Sequence, residues 1–153
     1  MKLTAHGKRM IVESMYSKGH SFLGAAALLR KNAGHEYVTL HLLCQGIEIV
    51  LKSFLLAIDY DKFMPKLRTK FHHNLVDTTN AVITEFNLRP LKPSLKEELK
   101  CLSALYSKHR LRYASSYDIM VDPHSIASGL VFRRIVAAMR LARRKGLFIG
   151  VVI

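Results

Sequence analysis

Four polar residues recur at helical spacing in a segment that is otherwise almost entirely apolar. They are His41, Gln45, Glu48 and Lys52, which follow one another by four, three and four residues within Tyr37 to Ile58. At about 100° per residue, an α-helix places these side chains within an arc of about 60°. We call them the polar ladder. Because apolar side chains cover the other directions, we expect the ladder to face something particular, either a substrate or another polar group of the protein.

The ladder residues have both chemical and structural interpretations. Glu48 precedes Lys52 by four residues, the favourable order for an ion pair within a helix. The pair could position a substrate, or it could neutralise itself and fix how the helices dock. His41 could act as a base or could be an interior histidine with its hydrogen bonds satisfied. Gln45 is expected to complete the hydrogen-bond chain between them.

A second candidate site lies at the start of a later helix. The run His73-Asn74-Leu75 opens this predicted helix, where backbone N–H groups attract anions. The connector before it is basic, which strengthens the expectation of an anion site. The alternative is an ordinary helix start beside a solvated run of charges. The basic residues of the connector are Lys62, Lys66, Arg68 and Lys70.

Two further groups of arginines could contact phosphate. Arg110 and Arg112 lie beside His109 and Tyr113, a combination suited to phosphate contact and base stacking. The last predicted helix carries a basic face at spacings of seven and four residues. This face could follow a nucleic-acid backbone, or it could simply be solvated. Its residues are Arg133, Arg140 and Arg144.

Several common mechanisms have no motif in this chain. There is no phosphate-cradling glycine loop, no nucleophile elbow, no H-E-x-x-H motif and no Cys or His spacing for zinc. Adjacent residues such as His72 and His73 point about 100° apart on a helix and rarely share a metal ion. We therefore predict no metal and no cofactor. Cys44 and Cys101 lie in apolar helical patterns and are predicted to be core residues of a protein in a reducing compartment.

Composition predicts one basic domain that contacts anions. The 153 residues are half apolar, and 24 Lys and Arg against 11 Asp and Glu give a formal net charge of +13. Phosphates, acidic partners and anionic lipids are the natural counterparts. We predict a single domain over residues 1–153, with a core over about residues 8–145. The apolar tail, residues 146–153, should pack on the body or join a second subunit.

The chain is expected to be cytoplasmic and not to associate with membranes. The segment Val38 to Ile58 is long enough to span a bilayer, but Glu48 and Lys52 interrupt it. Near the N-terminus, charged residues and continuous helical periodicity argue against an export signal.

The hydrophobic periodicity predicts an all-α fold, a five-helix up-and-down bundle. Gly46 and Ser53 lie on the side of the second helix away from the ladder, where small residues let another helix approach closely. The predicted boundaries follow cap signals. The first helix stops at Asn32-Ala33-Gly34, the second runs from near His35 to Asp59, the third from between Thr69 and Asn74 to Phe86, the fourth starts at a capping box over Ser94–Glu97, and the fifth runs from Asp122-Pro123 to about Arg144.

Short motifs in this chain resemble those of HEPN (higher eukaryotes and prokaryotes nucleotide-binding) domains. After a long first helix, the residues from Gln45 to Leu55 contain a similar Glu-x-x-x-Lys step, and His73-Asn74-Leu75 matches a His-x-Leu that opens the third helix. Arg110-Leu111-Arg112-Tyr113 completes the pattern. The resemblance covers about Met15 to Arg144. It implies an up-and-down bundle, usually dimeric, that contacts nucleotides or RNA. Many members are endoribonuclease toxins or sit beside a minimal nucleotidyltransferase in toxin–antitoxin and defence systems.

The ribonuclease members depend on an Arg-x(4 to 6)-His motif late in the bundle. This chain has Arg30-x4-His35 and Arg68-x4-His73, but neither lies at the expected place. After Arg112, Tyr117 stands where the histidine would follow. The resemblance therefore implies a module without the cleavage chemistry of the family.

These observations predict a non-catalytic HEPN-like module, a homodimer that binds nucleotide or RNA phosphate and could partner a nucleotidyltransferase. One alternative is a divergent, metal-independent endoribonuclease in which His73 is the general acid or base. Another is an interaction or dimerisation module with no small ligand, in which the ladder is an interface. The predicted ligand-binding residues are Glu48, Lys52, Arg68, His73, Arg110, Arg112 and Tyr113.

Overall fold

The computed structural model describes residues 3–113, 120–126 and 129–148. Tyr117 and the end of the apolar tail, residues 149–153, lie outside these ranges, so the predictions made for them are not taken further. Within the described ranges the regular structure is helical throughout, as predicted, and contains no strand. It comprises six α-helices: α1 Ala5–Lys31, α2 Glu36–Ile58, α3 Tyr60–Phe63, α4 Leu75–Glu85, α5 Pro93–Ser107 and α6 Gly129–Arg144.

Helix α2 lies at the centre of the fold. It contacts α1, α3, α4, α5 and α6, and α1 packs along much of its length. A helix that is apolar on nearly every side is expected to be surrounded by protein in this way. It is also long and apolar enough to cross a membrane, but most of it is buried inside this fold.

Two glycines allow α1 and α2 to approach at backbone distance. A Cβ atom built on Gly46 would lie 2.7 Å from Cγ of Leu23 and 3.0 Å from its backbone nitrogen. A Cβ atom on Gly19 would lie 2.9 Å from the backbone nitrogen of Val50. The predicted close approach at Gly46 is therefore confirmed, and α1 is the helix that makes it.

Four helices end in the same hydrogen-bonded turn, with a residue of positive φ just beyond the last helical residue. At the end of α1 the Gly34 amide donates to Leu29 O (2.9 Å) and the Ala33 amide to Arg30 O (3.2 Å), which is a Schellman motif. Ala33 takes the left-handed conformation, with φ of 52°, although Asn32 and Gly34 were the predicted candidates. The equivalent residues after α4, α5 and α6 are Asn87, His109 and Gly146.

Two predicted helix starts differ from the structure. Helix α5 begins at Pro93, with Lys92 as a cap that makes no side-chain hydrogen bond, so Ser94 lies inside the helix and the predicted capping box is wrong. Proline at the first helical position already sets the required φ, and Glu97 pairs with Lys100 instead. Asp122 does cap, but it caps the short 3₁₀ turn Pro123–Ser125, and α6 begins at Gly129.

The cysteines and the start of the tail also test the predicted core. Cys44 is buried, as predicted, whereas Cys101 is exposed, because it lies on the outer side of α5. Phe148 is buried and stacks on the ring of Tyr16 at a centroid distance of 4.0 Å. The described part of the tail therefore packs on the body of its own chain.

Candidate functional site

The polar ladder faces α5 and the turn that precedes α4, and Glu48 is the centre of the contact. Its side chain is only 5% exposed and accepts four hydrogen bonds. Oε1 accepts from Lys52 Nζ (2.5 Å) and from the backbone N–H of His73 (3.3 Å). Oε2 accepts from Tyr106 OH (2.5 Å) and from His73 Nδ1 (3.0 Å). The expected Glu48–Lys52 ion pair is present, and it stands inside a larger network.

The hydrogen bonds decide the charge of Glu48. Burial alone would raise the pKa of this carboxyl group, but hydrogen bonds from Lys52, Tyr106 and His73, together with the charge of Lys52, outweigh burial and lower it. Burial raises the pKa of Tyr106, and the hydrogen bond to Glu48 raises it further. The pair therefore consists of an ionised carboxylate and a protonated phenol.

The single proton of Tyr106 determines how Gln45 joins the network. The phenol oxygen lies 2.7 Å from Gln45 Oε1 as well as 2.5 Å from Glu48 Oε2. Because the ionised carboxylate is the stronger acceptor, the proton belongs on the bond to Glu48. Gln45 then donates a hydrogen bond from its amide NH₂ group to the phenol oxygen, which requires only a flip of the side-chain amide. The predicted hydrogen-bond chain thus runs through Tyr106.

His73 is held by Glu48 at both its backbone and its ring. An ionised carboxylate can only accept, so Nδ1 of His73 carries the hydrogen in the bond to Glu48, and Nε2 is the remaining ring nitrogen. The residue has a φ of 48°, a left-handed conformation that histidine adopts more readily than most residues. A carboxylate that fixes the tautomer and direction of a partly exposed imidazole is the arrangement that prepares a histidine for proton transfer.

Two histidines lie beside Tyr106, and a third lies beside one of them. The ring of His73 lies 5.2 Å from the Tyr106 ring and 5.4 Å from that of His109, and the ring of His41 lies 5.8 Å from Tyr106. Burial lowers the pKa of His41, and the charges of Arg112, His73 and His109 lower it further. Arg112 thus lies close enough to act on the top of the ladder. In the described part of the chain, no group of three or more His, Cys, Asp or Glu is placed to hold a metal ion.

The predicted anion site at the start of α4 is filled by the chain itself. The amide of His73 donates to Glu48, that of Leu75 to Ser103 Oγ (3.1 Å) and that of Asp77 to Asn74 Oδ1 (3.0 Å). These donors are therefore engaged before any external anion arrives. A ligand at this site has to be recognised by side chains.

The other predicted site residues are exposed. Arg68 lies in the turn before α4, and Arg110, Arg112 and Tyr113 follow α5, with Tyr113 73% exposed. His73 bonds to Glu48 of the ladder and the charge of Arg112 lowers the pKa of His41, whereas the basic face of α6 belongs to a separate surface beside Phe132. That face consists of Arg133, Arg140 and Arg144.

Sequence reasoning missed Tyr106, and it placed His109 beside Arg110 and Arg112 without connecting it to His73. Tyr106 follows Leu99, Leu102 and Leu105 on α5, so its polar tip on an apolar face was the available signal. His109 stands where α5 ends, and its left-handed conformation is what turns it toward His73.

No protein-family model, curated protein or solved structure matches this chain significantly. The resemblance to HEPN domains therefore rests on the motifs at Glu48–Lys52 and His73–Leu75. The structure joins those two motifs through the bonds from His73 to Glu48.

Proposed function

We propose that this protein is a non-catalytic, HEPN-like module that binds the phosphate groups of a nucleotide or an RNA. The observation that carries the proposal is the convergence of His73, His109 and Arg112 at one end of the polar ladder. Arg112 is always charged and offers several N–H donors to a phosphate. The binding surface is thus built from side chains of two separate segments, the turn before α4 and the residues that follow α5.

The charges around Glu48 and Arg112 suit an anionic ligand. Glu48 is the acidic group at its centre, and Lys52 neutralises it while its oxygens are occupied by hydrogen bonds. Tyr113 beside Arg112 is largely exposed and offers a ring for base stacking. The net charge of +13 adds a long-range attraction for polyanions. The site therefore offers neighbouring groups that can bind a phosphate and stack on a base, within a protein that attracts polyanions.

The proposal includes the remaining features of the HEPN resemblance. The helical fold is then a HEPN-like bundle that acts as a homodimer in the cytoplasm, away from membranes and without metal or cofactor. Its partner in this scheme is a nucleotidyltransferase of a toxin–antitoxin or defence system. The Glu48–Lys52 pair acts mainly by fixing how α2, α4 and α5 dock, and the ligand is held by His73, Arg110 and Arg112.

Fluorescence anisotropy with labelled single-stranded RNA, with mononucleotides as competitors, tests the binding. We expect saturable binding, and the logarithm of the association constant should fall linearly with the logarithm of the salt concentration. Arg112→Gln should reduce the salt slope by about one, as expected for one lost phosphate contact. The matched control is Lys18→Gln, an exposed cation on α1. Absence of saturable binding at low salt, or equal effects of the two variants, would overturn the proposal.

A second candidate function, metal-independent RNA cleavage, is favoured by the Glu48–His73 contact. A histidine oriented by a carboxylate can serve as general acid or base, with Arg68, Arg110 or Arg112 as the phosphate clamp. His73→Asn removes the imidazole and keeps a residue that tolerates positive φ. If wild type cleaves RNA in the presence of a chelator and His73→Asn does not, the enzyme hypothesis replaces the non-catalytic one. Equal activity in the two proteins excludes His73 as the catalytic residue.

A further inference from the structure

A trough runs along the surface between α1 and α6, away from the polar ladder. Three adjoining hollows form it, with volumes of about 310, 400 and 260 Å³, and Phe132 lines all three. None of the ladder residues lines these hollows. The trough is therefore a second surface, independent of the proposed phosphate site.

The floor of the trough is apolar. It includes side chains from α1, α2 and α6, and Leu141 (44% exposed) adds apolar surface on α6. At Gly24 on α1 a Cβ atom would meet nothing within 4 Å, so the wall is open there. Ala27, Phe132 and Val136 are the floor side chains that reach solvent, above the buried Leu23, Leu43 and Met139. The floor residues are Leu23, Ala27, Leu43, Phe132, Val136 and Met139.

The rims of the trough are cationic on both sides. Among the described residues, no Asp or Glu lines any of the three hollows, and Glu36 pairs with Arg30 at 3.0 Å. His20 adds a further basic group near Tyr16. The cations lie on both flanking helices, four arginines on α6 and the adjacent Arg30 and Lys31 at the end of α1, and they favour an occupant that is apolar in the middle and acidic at its edges. The rim residues are Arg30, Lys31, Arg133, Arg140, Arg143 and Arg144.

We propose that the trough docks an acidic amphipathic helix of a partner protein. The stretch of α6 from Phe132 to Arg144 is about 18 Å long, which matches about three turns of a partner helix. Such a helix places its apolar stripe on Phe132 and its neighbours, and its carboxylates beside the arginines of α6 and beside Lys31 at the end of α1, in the helix-in-groove mode.

Charge and shape favour this occupant over the others. A second copy of the chain would bring an equally cationic rim against this one. A nucleic-acid backbone has no apolar group to place on the floor, and a bilayer is flat whereas the trough is concave. The basic face predicted on α6 is on this view one wall of a protein-binding groove.

A designed peptide tests the proposal with the full chain. The probe is a fluorescent helical peptide of about 18 residues, with leucines along one face and glutamates on both flanks. The matched probe carries lysines in place of the glutamates. Anisotropy at low salt should show saturable binding of the acidic peptide and at least about tenfold weaker binding of the basic peptide, because like charges oppose each other across an interface.

Two variants separate shape from charge. Gly24→Gln fills the open wall without adding charge, and it favours the helix because Gly is the poorer helix former. This variant should weaken the binding of the acidic peptide at least about tenfold, as expected when a central contact is blocked. The matched control Ala25→Gln, on the same helix but outside the hollows, should not. The double variant Arg140→Glu/Arg143→Glu should transfer the preference to the basic peptide.

Several outcomes would contradict the proposal. They are absence of saturable binding by the acidic peptide, equal affinity of wild type for both peptides, and equal effects of Gly24→Gln and Ala25→Gln. Loss of RNA binding in the arginine double variant with unchanged peptide binding would assign the surface to nucleic acid. Conversion of a dimer to a monomer by Gly24→Gln would assign it to a second copy. The phosphate site at Arg112 is tested separately, by the Arg112→Gln variant.

Discussion

The buried carboxylate of Glu48 needs several donors, and three segments of the chain supply them. Lys52 comes from the same helix, His73 from the turn before α4, and Tyr106 from α5. An unpaired buried charge is strongly unfavourable, so the three segments are specified to meet at this point. The residue that first suggested an active site is therefore also the residue that determines how the helices dock.

Removing the phenol oxygen of Tyr106 should destabilise the fold. Tyr106→Phe leaves Glu48 with one donor fewer in a buried position, which should lower the free energy of unfolding by about 1.5 to 3 kcal/mol. Urea denaturation followed by circular dichroism measures the change. The control, Tyr113→Phe, alters a ring that is 73% exposed and should stay within about 0.5 kcal/mol of wild type. Equal stability of the two variants would mean that the Tyr106–Glu48 bond contributes nothing.

His41 should make the fold less stable in acid. Burial, aided by the charges of Arg112, His73 and His109, lowers the pKa of His41 below 6.5, so below that pH the unfolded chain binds a proton that the folded chain does not. The free energy of unfolding should therefore fall as the pH is lowered from about 7 to 5. In His41→Gln the decrease should be smaller over the same range. Denaturation curves at several pH values that fall in parallel for both proteins would refute this.

The ladder could be predicted from the sequence, but its partner could not. Four polar residues at helical spacing are visible in one segment, because periodicity is a local property. Tyr106 lies 58 residues beyond Glu48, and its identity as the partner depends on how α5 docks on α2. His73 was predicted to attract an external anion, and the structure shows that its amide already binds an internal one.

At the scale of the helices, the crossing of α1 and α2 depends on glycine for space and not for flexibility. Replacing Gly46 or Gly24 by alanine makes the same change in a crowded position and in an open one. At Gly46 a methyl group would meet the backbone of Leu23, whereas at Gly24 it would meet nothing within 4 Å. Backbone atoms cannot move aside as a side chain can.

Gly46→Ala should destabilise the protein and Gly24→Ala should stabilise it. Overpacking at the helix crossing should cost about 1 to 3 kcal/mol. In the open wall, alanine should gain about 0.5 to 1 kcal/mol from its better helix propensity. Thermal unfolding of the two variants beside wild type measures both effects, and shifts in the same direction would contradict the assigned contact at Gly46.

The long helices could be predicted and their ends only in part. Periodicity over many residues identifies α1, α4 and α5, since each buries one continuous face, and α2 is identified by an apolar run that is buried on nearly every side. A helix end depends on a few competing local signals, and at α5 the proline took precedence over the Ser94–Glu97 motif. The one-turn helix α3 buries only Phe63, so it leaves no periodic pattern to recognise.

At the scale of the whole molecule, the rates at which the two thiols react distinguish an exposed cysteine from one that becomes accessible only when the protein unfolds. Cys44 is fully buried, and burial raises the pKa of its thiol, whereas Cys101 is exposed. Because the thiolate is the reactive form, one thiol per chain should react quickly with a soluble reagent. The second should react at the rate of global opening, and faster in Tyr106→Phe. Cys101→Ser should abolish the fast phase, and a fast phase that survives would place Cys44 within reach of solvent.

The saturated hydrogen bonds around Glu48 also bear on how fast a ligand is captured. A site whose groups already hold one another in place loses little conformational freedom on binding, and it needs no rearrangement before the first contact. Encounter should then be a single step whose observed rate rises in proportion to ligand concentration without a plateau. The same internal bonds that engage the His73 amide thus hold the His73 imidazole in one orientation before a ligand arrives.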